Sequence, residues 1–218
     1  MHGCHISLER YDAAKAEALW NALGGPNGTI NERLRYFPNP PFQDFSDFSG
    51  WLDRTQGDWV TLVARDQRDG AVCGMASYMR IDPANGSIEV GSVAHGERMA
   101  RSPLATEMHC LMARHVFEEL GYRRYEWKCH NDNEPSKRAA ERLGFTFEGV
   151  FRQHMVAKGA NRDTAWYSII DSEWPVIGHA MDLWLKPANF GADGDQVRSL
   201  QDIRASLFSE TDKGKITA

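Results

Sequence analysis

The stretch of the chain that most constrains the fold lies between Ser87 and Phe145. It opens with a strand-like segment, Ser87–Val93, which is followed by a basic, glycine-bearing loop. Ser102 and the proline after it are typical of a helix start, and apolar residues then recur at helical spacing up to Leu120. Tyr125–Cys129 predicts a second strand. A strand, a basic loop, a helix and a second strand are typical of an anion-binding site, because free backbone N–H groups and the positive end of the helix dipole lie beyond the strand tip.

Shorter elements surround this unit. Alternating apolar and polar residues predict an edge strand near the start of the chain, a three-stranded antiparallel meander that ends with the central strand, and two long final strands joined by a turn at Gly159. Helices are predicted after Asp12, at a capping box that starts at Thr29, and after Asp44 or Ser46. The pattern predicts an α/β (α+β) fold in which helices cover a mixed, mostly antiparallel sheet of about seven strands.

The length of 218 residues favours one domain with an appendage. Residues 1–175 are expected to form the main domain, and residues 176–218 a C-terminal helical extension. That extension is predicted to contain a helix up to Leu185, a glycine-rich break, a weak helix from Val197 to Leu207 and a flexible tail from Ser209.

Charge and cysteine content exclude several function classes. A net charge of -5 and a pI near 5.9 argue against general binding to nucleic acid or to an anionic membrane. The sequence has no run of 18 apolar residues and no signal-peptide pattern at its start, so a cytoplasmic protein is expected. The four cysteines are far apart and form no C-x-x-C pair, which favours free thiols. His2, Cys4 and His5 cluster at a terminus, where disorder is common, and we expect no metal site.

The segment Asn133–Phe145 resembles a known family. Its pattern N-x-x-S-x-x-x-x-E-x-x-G-F is similar to that of the GCN5-related N-acetyltransferases (GNAT). Phe147–Arg152 and Lys158–Thr164 resemble the RimJ/RimL-like branch, which acetylates protein N-termini and other amines. The resemblance extends from about Ser7 to Pro175. It implies an acetyl-CoA co-substrate, an amine acceptor, and a sheet whose strands splay at the acyl-CoA site.

The chemistry that this resemblance implies is direct acyl transfer. The amine must be neutral, the thioester carbonyl must be polarised, and the leaving thiolate must receive a proton. No covalent intermediate is needed when donor and amine are held together. The absence of a G-x-S-x-G elbow from the sequence is consistent with this mechanism.

The resemblance implies that the loop before the long helix grips the pyrophosphate of coenzyme A. The family has Q/R-x-x-G-x-G/A there, whereas this sequence has Ala100 in place of Gln or Arg and Pro103 in place of the first Gly. A proline in the first helical turn removes the N–H group that is least missed. The groups left for the phosphates belong to the following residues: Arg101, Ser102, Leu104, Ala105 and Thr106.

Two residues of the Asn133 segment are expected to contact the rest of the cofactor. The resemblance implies that Asn133 hydrogen-bonds the pantetheine arm and that Ser136 lies near the thioester sulfur. Ser136 is therefore the candidate general acid, acting directly or through a water. The alternative role of Ser136 is to cap the helix that follows, because Pro135 disfavours a helix before it.

The central strand carries the other reacting groups that the resemblance implies. A backbone N–H group at Ser92 or Val93 is expected to polarise the acetyl carbonyl, and Gly91 lets the chain bend or the pantetheine approach. Glu89 matches a position where many relatives have a general base. The alternative for Glu89 is a cross-strand ion pair with Arg80.

Later residues offer substitutes and substrate contacts. Glu126 and His154 are alternative bases, and His154 stands on a late strand beside the acceptor side. Arg152 and His154 are the candidate substrate-binding residues, while Arg152 and Asp163 also suggest a structural or substrate-orienting pair.

These observations predict an acetyl-CoA-dependent N-acetyltransferase that acts on a protein N-terminal α-amine or a small amine. Two alternatives stay open: transfer from succinyl-CoA or another acyl-CoA, and a catalytically silent acyl-CoA-binding or interaction module. The exposed strand edges and the helix that contains Trp184 are compatible with a homodimer.

Overall fold

One sheet organises the molecule. The computed structural model describes residues 1–100 and 102–216, except for the side chains after residue 209. Within this part of the chain, seven strands form a sheet in the order β1-β2-β3-β4-β5-β7-β6. All neighbours are antiparallel except β4 and β5, which are parallel. The predicted mixed, mostly antiparallel sheet is confirmed. The strands are β1 (Ile6–Arg10), β2 (Val60–Asp66), β3 (Val72–Asp82), β4 (Ser87–His95), β5 (Arg124–His130), β6 (Thr146–Ala157) and β7 (Ala160–Ile170).

Helices cover both faces of the sheet. They are α1 (Ala16–Ala22), α2 (Ile30–Arg33), α3 (Phe45–Thr55), α4 (Pro103–Arg114), α5 (Glu134–Leu143), α6 (Trp174–Trp184) and α7 (Leu200–Ile216). A five-residue π-helix, His115–Glu119, prolongs α4. The larger apolar core joins the sheet to α4, α5, α6 and α7, and the smaller one joins it to α1, α2 and α3. This two-sided burial is why β2, β3 and β4 are apolar on both faces.

The N-terminal turn is tied to α4 by a buried carboxylate. Glu107 accepts hydrogen bonds from the backbone N–H groups of Cys4, His5 and Ile6 at 2.6–2.8 Å. A side chain at Gly3 would collide with this carboxylate, since an added Cβ would lie 2.4 Å from Glu107 Cδ. Although disorder is common at chain termini, three charge-assisted hydrogen bonds order this one.

Helix α5 begins earlier than the sequence predicts. The Asn133 side chain caps it by accepting a hydrogen bond from Ser136 N at 3.2 Å, and Pro135 lies in the first turn. The alternative in which Ser136 is the N-cap is therefore wrong. Thr29 also fails to form the predicted capping box, because it is already helical and its hydroxyl bonds Asn27 instead. Asp44 caps α3 as predicted, and Asp12 caps a 3-10 turn, Ala13–Lys15, that leads into α1.

The C-terminal helices share the main core. Trp184 is 4% exposed and packs on Phe190, so this part of α6 is covered by its own chain. Arg204 of α7 donates to the carbonyl oxygens of Glu141 and Arg142 at the end of α5, where a cation is favourable. The last helix is longer than predicted, whereas a domain division after residue 175, a flexible tail and a homodimer stay predictions. In the described part of the chain, no helix is both long enough and apolar enough to cross a membrane.

Candidate active site

Strands β4 and β5 separate partway along their length. Their parallel register extends only from Ser87 to Val90 on β4. Beyond that point β4 bulges against β3, and Ser92 and Val93 have no register partner on either neighbouring strand. Ser92 adopts a positive φ of 50°, which is uncommon outside glycine and marks a locked backbone. The predicted splay is present, and it leaves backbone polar groups facing a gap.

Gly91 makes room for a neighbouring side chain, and the close approach of the pantetheine to it stays a prediction. A Cβ on Gly91 would lie 2.4 Å from the sulfur of Met79, so the glycine makes room for that side chain. The bend itself falls one residue later, at Ser92.

The gap opens on one side into what we call the acceptor-side cleft, a space of about 230 Å³. Predicted site residues that line it are Glu89, Gly91, Ser92, Val93, Asn133, Ser136 and His154. Aromatic side chains from the segments between β1 and β2 form one wall: Tyr36, Phe37, Trp51 and Trp59. The structure thus brings together residues that are far apart in sequence, and it gives the aromatic segment a place at the site as well as in the core.

A second space, the α4 cleft, lies at the start of α4 and measures about 490 Å³. Ser102, Ala105 and Thr106 line it, and their contact with the cofactor stays a prediction. The Leu104 side chain lies in the core, where it is 3% exposed, so its predicted contribution is that of its backbone N–H group. Arg101 lies outside the described residues. The Ser102 hydroxyl donates to the Met99 carbonyl rather than capping α4.

The sequence analysis did not predict Arg142, an arginine that lines the α4 cleft. Its Nη1 donates to the Thr106 hydroxyl at 2.9 Å, and its guanidinium lies 4.8 Å from the ring centroid of Trp184. No carboxylate of the described residues forms an ion pair with it. Burial and the neighbouring Arg204 lower the pKa of Arg142, although an arginine stays charged in proteins. Its place in E-R-L-G-F gave no signal of this role.

His109, which is buried, and His95, which is half-buried, line the same cleft. Both ring nitrogens of His109 and the Nε2 atom of His95 are buried without a hydrogen-bond partner among the described residues. The two rings are 5.7 Å apart. Desolvation lowers the pKa of His95 to about 4 and that of His109 well below its usual range, so both rings are neutral at pH 7.

Ser136 is free of capping and hydrogen-bonded to an indole. Trp127 Nε1 donates to Ser136 Oγ at 3.0 Å. Because the indole N–H can only donate, it occupies a lone pair of the hydroxyl oxygen and leaves the hydroxyl proton available to another acceptor. The nearby thiol of Cys129 has its pKa raised by burial, an effect that the Ser136 hydroxyl partly offsets.

Glu89 is held between two cations. Its Oε2 accepts from Arg80 Nη1 at 2.7 Å and lies 2.8 Å from Lys128 Nζ, and the residue is 4% exposed. The predicted alternative, an ion pair with Arg80, is confirmed. Lys128 also contacts Glu126 at 2.7 Å and lies 3.8 Å from the ring centroid of Trp166. A proton from a substrate must therefore compete with two positive charges for this carboxylate.

Of the two candidate substrate-binding residues on the late strands, His154 lines the acceptor-side cleft and Arg152 does not. His154 Nδ1 is 2.9 Å from the Thr164 hydroxyl, and both residues line the acceptor-side cleft. Arg152 lies instead on a separate surface groove with Asp163. The expected Arg152–Asp163 ion pair is not formed among the described residues, because Asp163 accepts from Gln153 N and Asn161. The candidate catalytic and substrate roles stay predictions.

Comparisons with known proteins agree with this geometry. The model of the acetyltransferase (GNAT) domain matches residues 6–146. A Bacillus subtilis protein named "Putative ribosomal N-acetyltransferase YdaF" is 31% identical over 173 residues, which are 78% of this chain and 93% of that protein. The crystal structure of a GCN5-related N-acetyltransferase from Brucella melitensis is 45% identical with a TM-score of 0.89, and the match covers 94% of this chain and 93% of that one. A more distant fold neighbour, the microcin C7 self-immunity acetyltransferase MccE, was solved in complex with acetyl-CoA and AMP; it is 23% identical, with a TM-score of 0.64 over 77% of this chain and 93% of that one.

Proposed function

The chain belongs to the GNAT acetyltransferase family, and we propose that it transfers the acetyl group of acetyl-CoA to a primary amine by direct attack in a ternary complex. The observation that carries the proposal is the bulge at Ser92 and Val93, which lines the acceptor-side cleft where β4 has left β5, while the end of the same strand, His95, lines the α4 cleft. The α4 cleft would take the nucleotide end of the donor, and the acceptor-side cleft the amine.

We assign polarisation of the thioester to the bulge at Ser92 and Val93. Backbone N–H groups at Ser92 and Val93 are not used in the sheet register. A fixed N–H dipole that faces the thioester oxygen stabilises the oxyanion as it forms, with no reorganisation during the reaction. The positive φ of Ser92 holds these groups in place before substrate arrives.

Protonation of the leaving thiolate falls to Ser136. Its hydroxyl receives the Trp127 indole N–H and keeps its own proton for the sulfur. We assign removal of the amine proton to Glu89 or to His154, two candidate bases that line the acceptor-side cleft. Glu89 is shared with Arg80 and Lys128, whereas His154 is tied only through Nδ1.

The grip on the donor phosphates falls to the start of α4 and to Arg142. The positive helix end and its N–H groups favour a phosphate there. Arg142 supplies a guanidinium that has no carboxylate partner among the described residues. It lines the α4 cleft together with Ala100, the residue that replaces the family's Gln or Arg. We expect Arg142→Met to raise KM for acetyl-CoA roughly tenfold at unchanged kcat, which is the loss of one charge-assisted bond of about 1.5 kcal/mol. Arg68→Met, at a distant exposed arginine paired with Asp66, is the matched control; an equal rise in KM for both variants would contradict this role.

Free-thiol release from acetyl-CoA tests the function directly. The assay is run with peptides that have different N-termini and with small amines, since the likeness to a ribosomal N-acetyltransferase favours including protein α-amines. Acceptor-dependent release supports the proposal. Tight acetyl-CoA binding without turnover of any acceptor would favour another acyl donor or a silent binding module, and a failure of calorimetry to detect acetyl-CoA binding would end the proposal.

A further inference from the structure

The charged groups around the acceptor-side cleft are almost balanced. A network of ion pairs crosses β3, β4, β5 and β6 and contains three cations and three carboxylates: Arg80, Lys128, Arg124, Glu89, Glu126 and Glu148. Each cation of this network contacts at least one carboxylate at 2.6–2.8 Å. The network therefore leaves no net charge for a substrate.

Arg162 is the cation that this network does not neutralise. It stands on β7 opposite Met155 and lines the acceptor-side cleft with Thr164. Its Nε atom is buried with no hydrogen-bond partner, and its guanidinium forms no ion pair with the described residues. A buried charged donor without a partner is costly, and native structures keep such groups where a ligand completes them.

The walls of the cleft restrict what can approach this guanidinium. Aromatic side chains of Phe37, Trp51 and Trp59 line the same cleft and favour an apolar body. A polycationic amine would place a second positive charge beside Arg162 and Lys128, which is unfavourable. A carboxylate matches the planar guanidinium fork and would give Arg162 the anionic partner that the described residues do not supply.

We propose that the acceptor is an amine that also carries a carboxylate, and that Arg162 binds this carboxylate while the amine lies toward Ser92. This inference rests on the proposed N-acetyltransferase activity and adds the substrate class. It makes Arg162 a specificity residue that touches the acceptor but takes no part in proton transfer.

The test compares matched acceptors that differ only in the anionic group. Phenylalanine and phenylalaninamide are assayed with acetyl-CoA at a pH where both amines are partly neutral, with each rate corrected for its neutral fraction. The wild-type enzyme should prefer the carboxylate by roughly 10- to 100-fold in kcat/KM, as expected for a charge-assisted, bidentate contact. In Arg162→Gln the preference should vanish, mainly through KM, while the rate with the amide stays near the wild-type value. Arg162→Lys should recover part of it.

Two controls make the result specific. Arg54→Gln removes one exposed positive charge from α3 outside the cleft and should leave the preference intact. Calorimetry with CoA and the two products, N-acetylphenylalanine and its amide, gives a readout that needs no turnover. The acid should bind roughly tenfold more tightly to the wild type, and Arg162→Gln should abolish that difference.

The outcomes separate this inference from the proposed function. Turnover of the amide at the same kcat/KM as the acid, a preference that survives Arg162→Gln, or equal binding of the two products would overturn the inference alone. Arg162-dependent use of succinyl-CoA with neutral amines would also overturn it, because the carboxylate would then belong to the donor. Loss of acetyl-CoA binding itself would instead remove the proposed function.

Discussion

Replacing Ser136 by alanine tests the proposed proton donor and separates chemistry from stability. The hydroxyl accepts the Trp127 Nε1–H at 3.0 Å, and Trp127 is 4% exposed. Ser136→Ala therefore leaves a buried donor unpaired, which costs about 1–3 kcal/mol of folding free energy. It also removes the general acid, which contributes roughly 10²- to 10⁴-fold to rate. We expect kcat to fall at least about 100-fold while the Kd for acetyl-CoA changes by less than about threefold.

The measurement is single-turnover acetyl transfer, alongside chemical denaturation of the same samples. Trp127→Phe provides the matched variant, because it removes the indole donor and keeps an aromatic ring between His109 and Phe145. The double variant lacks both members of the hydrogen bond and should recover most of the stability that Ser136→Ala loses. Its rate should stay as low as that of Ser136→Ala.

Two results would refute the reasoning. If single-turnover rates of Ser136→Ala stay within about threefold of wild type, Ser136 does not protonate the thiolate. If the double variant regains rate together with stability, the hydroxyl acts only through the position of Trp127.

Three further predictions concern the general base, the buried His109 and the contact of Glu107 with the N-terminal turn. For Glu89→Gln we expect a loss of stability from the ion network but a kcat within about tenfold of wild type, whereas His154→Gln should lower kcat by roughly 10²-fold or more; the reverse ranking of the two rates would make Glu89 the base. Burial lowers the pKa of His109 from its ordinary 6.5 and keeps the folded imidazole neutral. The stability of the folded state is therefore complete above about pH 6.5 and falls below that pH, because the unfolded chain takes up the proton first. When the free energy of unfolding is measured at pH 6.5 and at pH 5, His109→Gln should reduce its decrease by up to about 1.4 kcal/mol per pH unit. The same decrease in the wild type and the variant would contradict the burial argument. Glu107→Ala should lower the free energy of unfolding by about 2–5 kcal/mol, because three backbone N–H groups lose a charged acceptor. The same substitution at an exposed site, Glu17→Ala, should change it by less than about 0.5 kcal/mol.

Sequence periodicity and capping were enough to predict the architecture, since strand alternation and helix caps are local. The start of α5 shows where local reasoning failed. Pro135 disfavours helix only in the residue before it, whereas proline is well tolerated in a first turn and Asn133 is a good N-cap. Placing the cap three residues too late, at Ser136, conceals the hydrogen bond between Ser136 and Trp127.

The charge arrangement of the site could be predicted only in part. The Arg80–Glu89 pair joins strands that are adjacent in sequence, and a cross-strand argument found it. Arg162 reaches the same cleft because β7 inserts between β5 and β6. No local pattern specifies that strand order. The sequence places Arg162 beside a predicted turn, and only the structure shows that it lines the acceptor-side cleft.

Both clefts present a guanidinium that the described carboxylates do not neutralise, and this arrangement links stability to substrate binding. Arg142 faces the cleft proposed for the donor, and Arg162 the cleft proposed for the acceptor. The chain has a net charge of -5, yet none of the described carboxylates pairs with either residue. A partly buried cation without an anionic partner costs folding free energy that an anionic ligand returns on binding. On the proposed function, the anions of the two substrates therefore complete the electrostatics of the folded protein, one in each cleft.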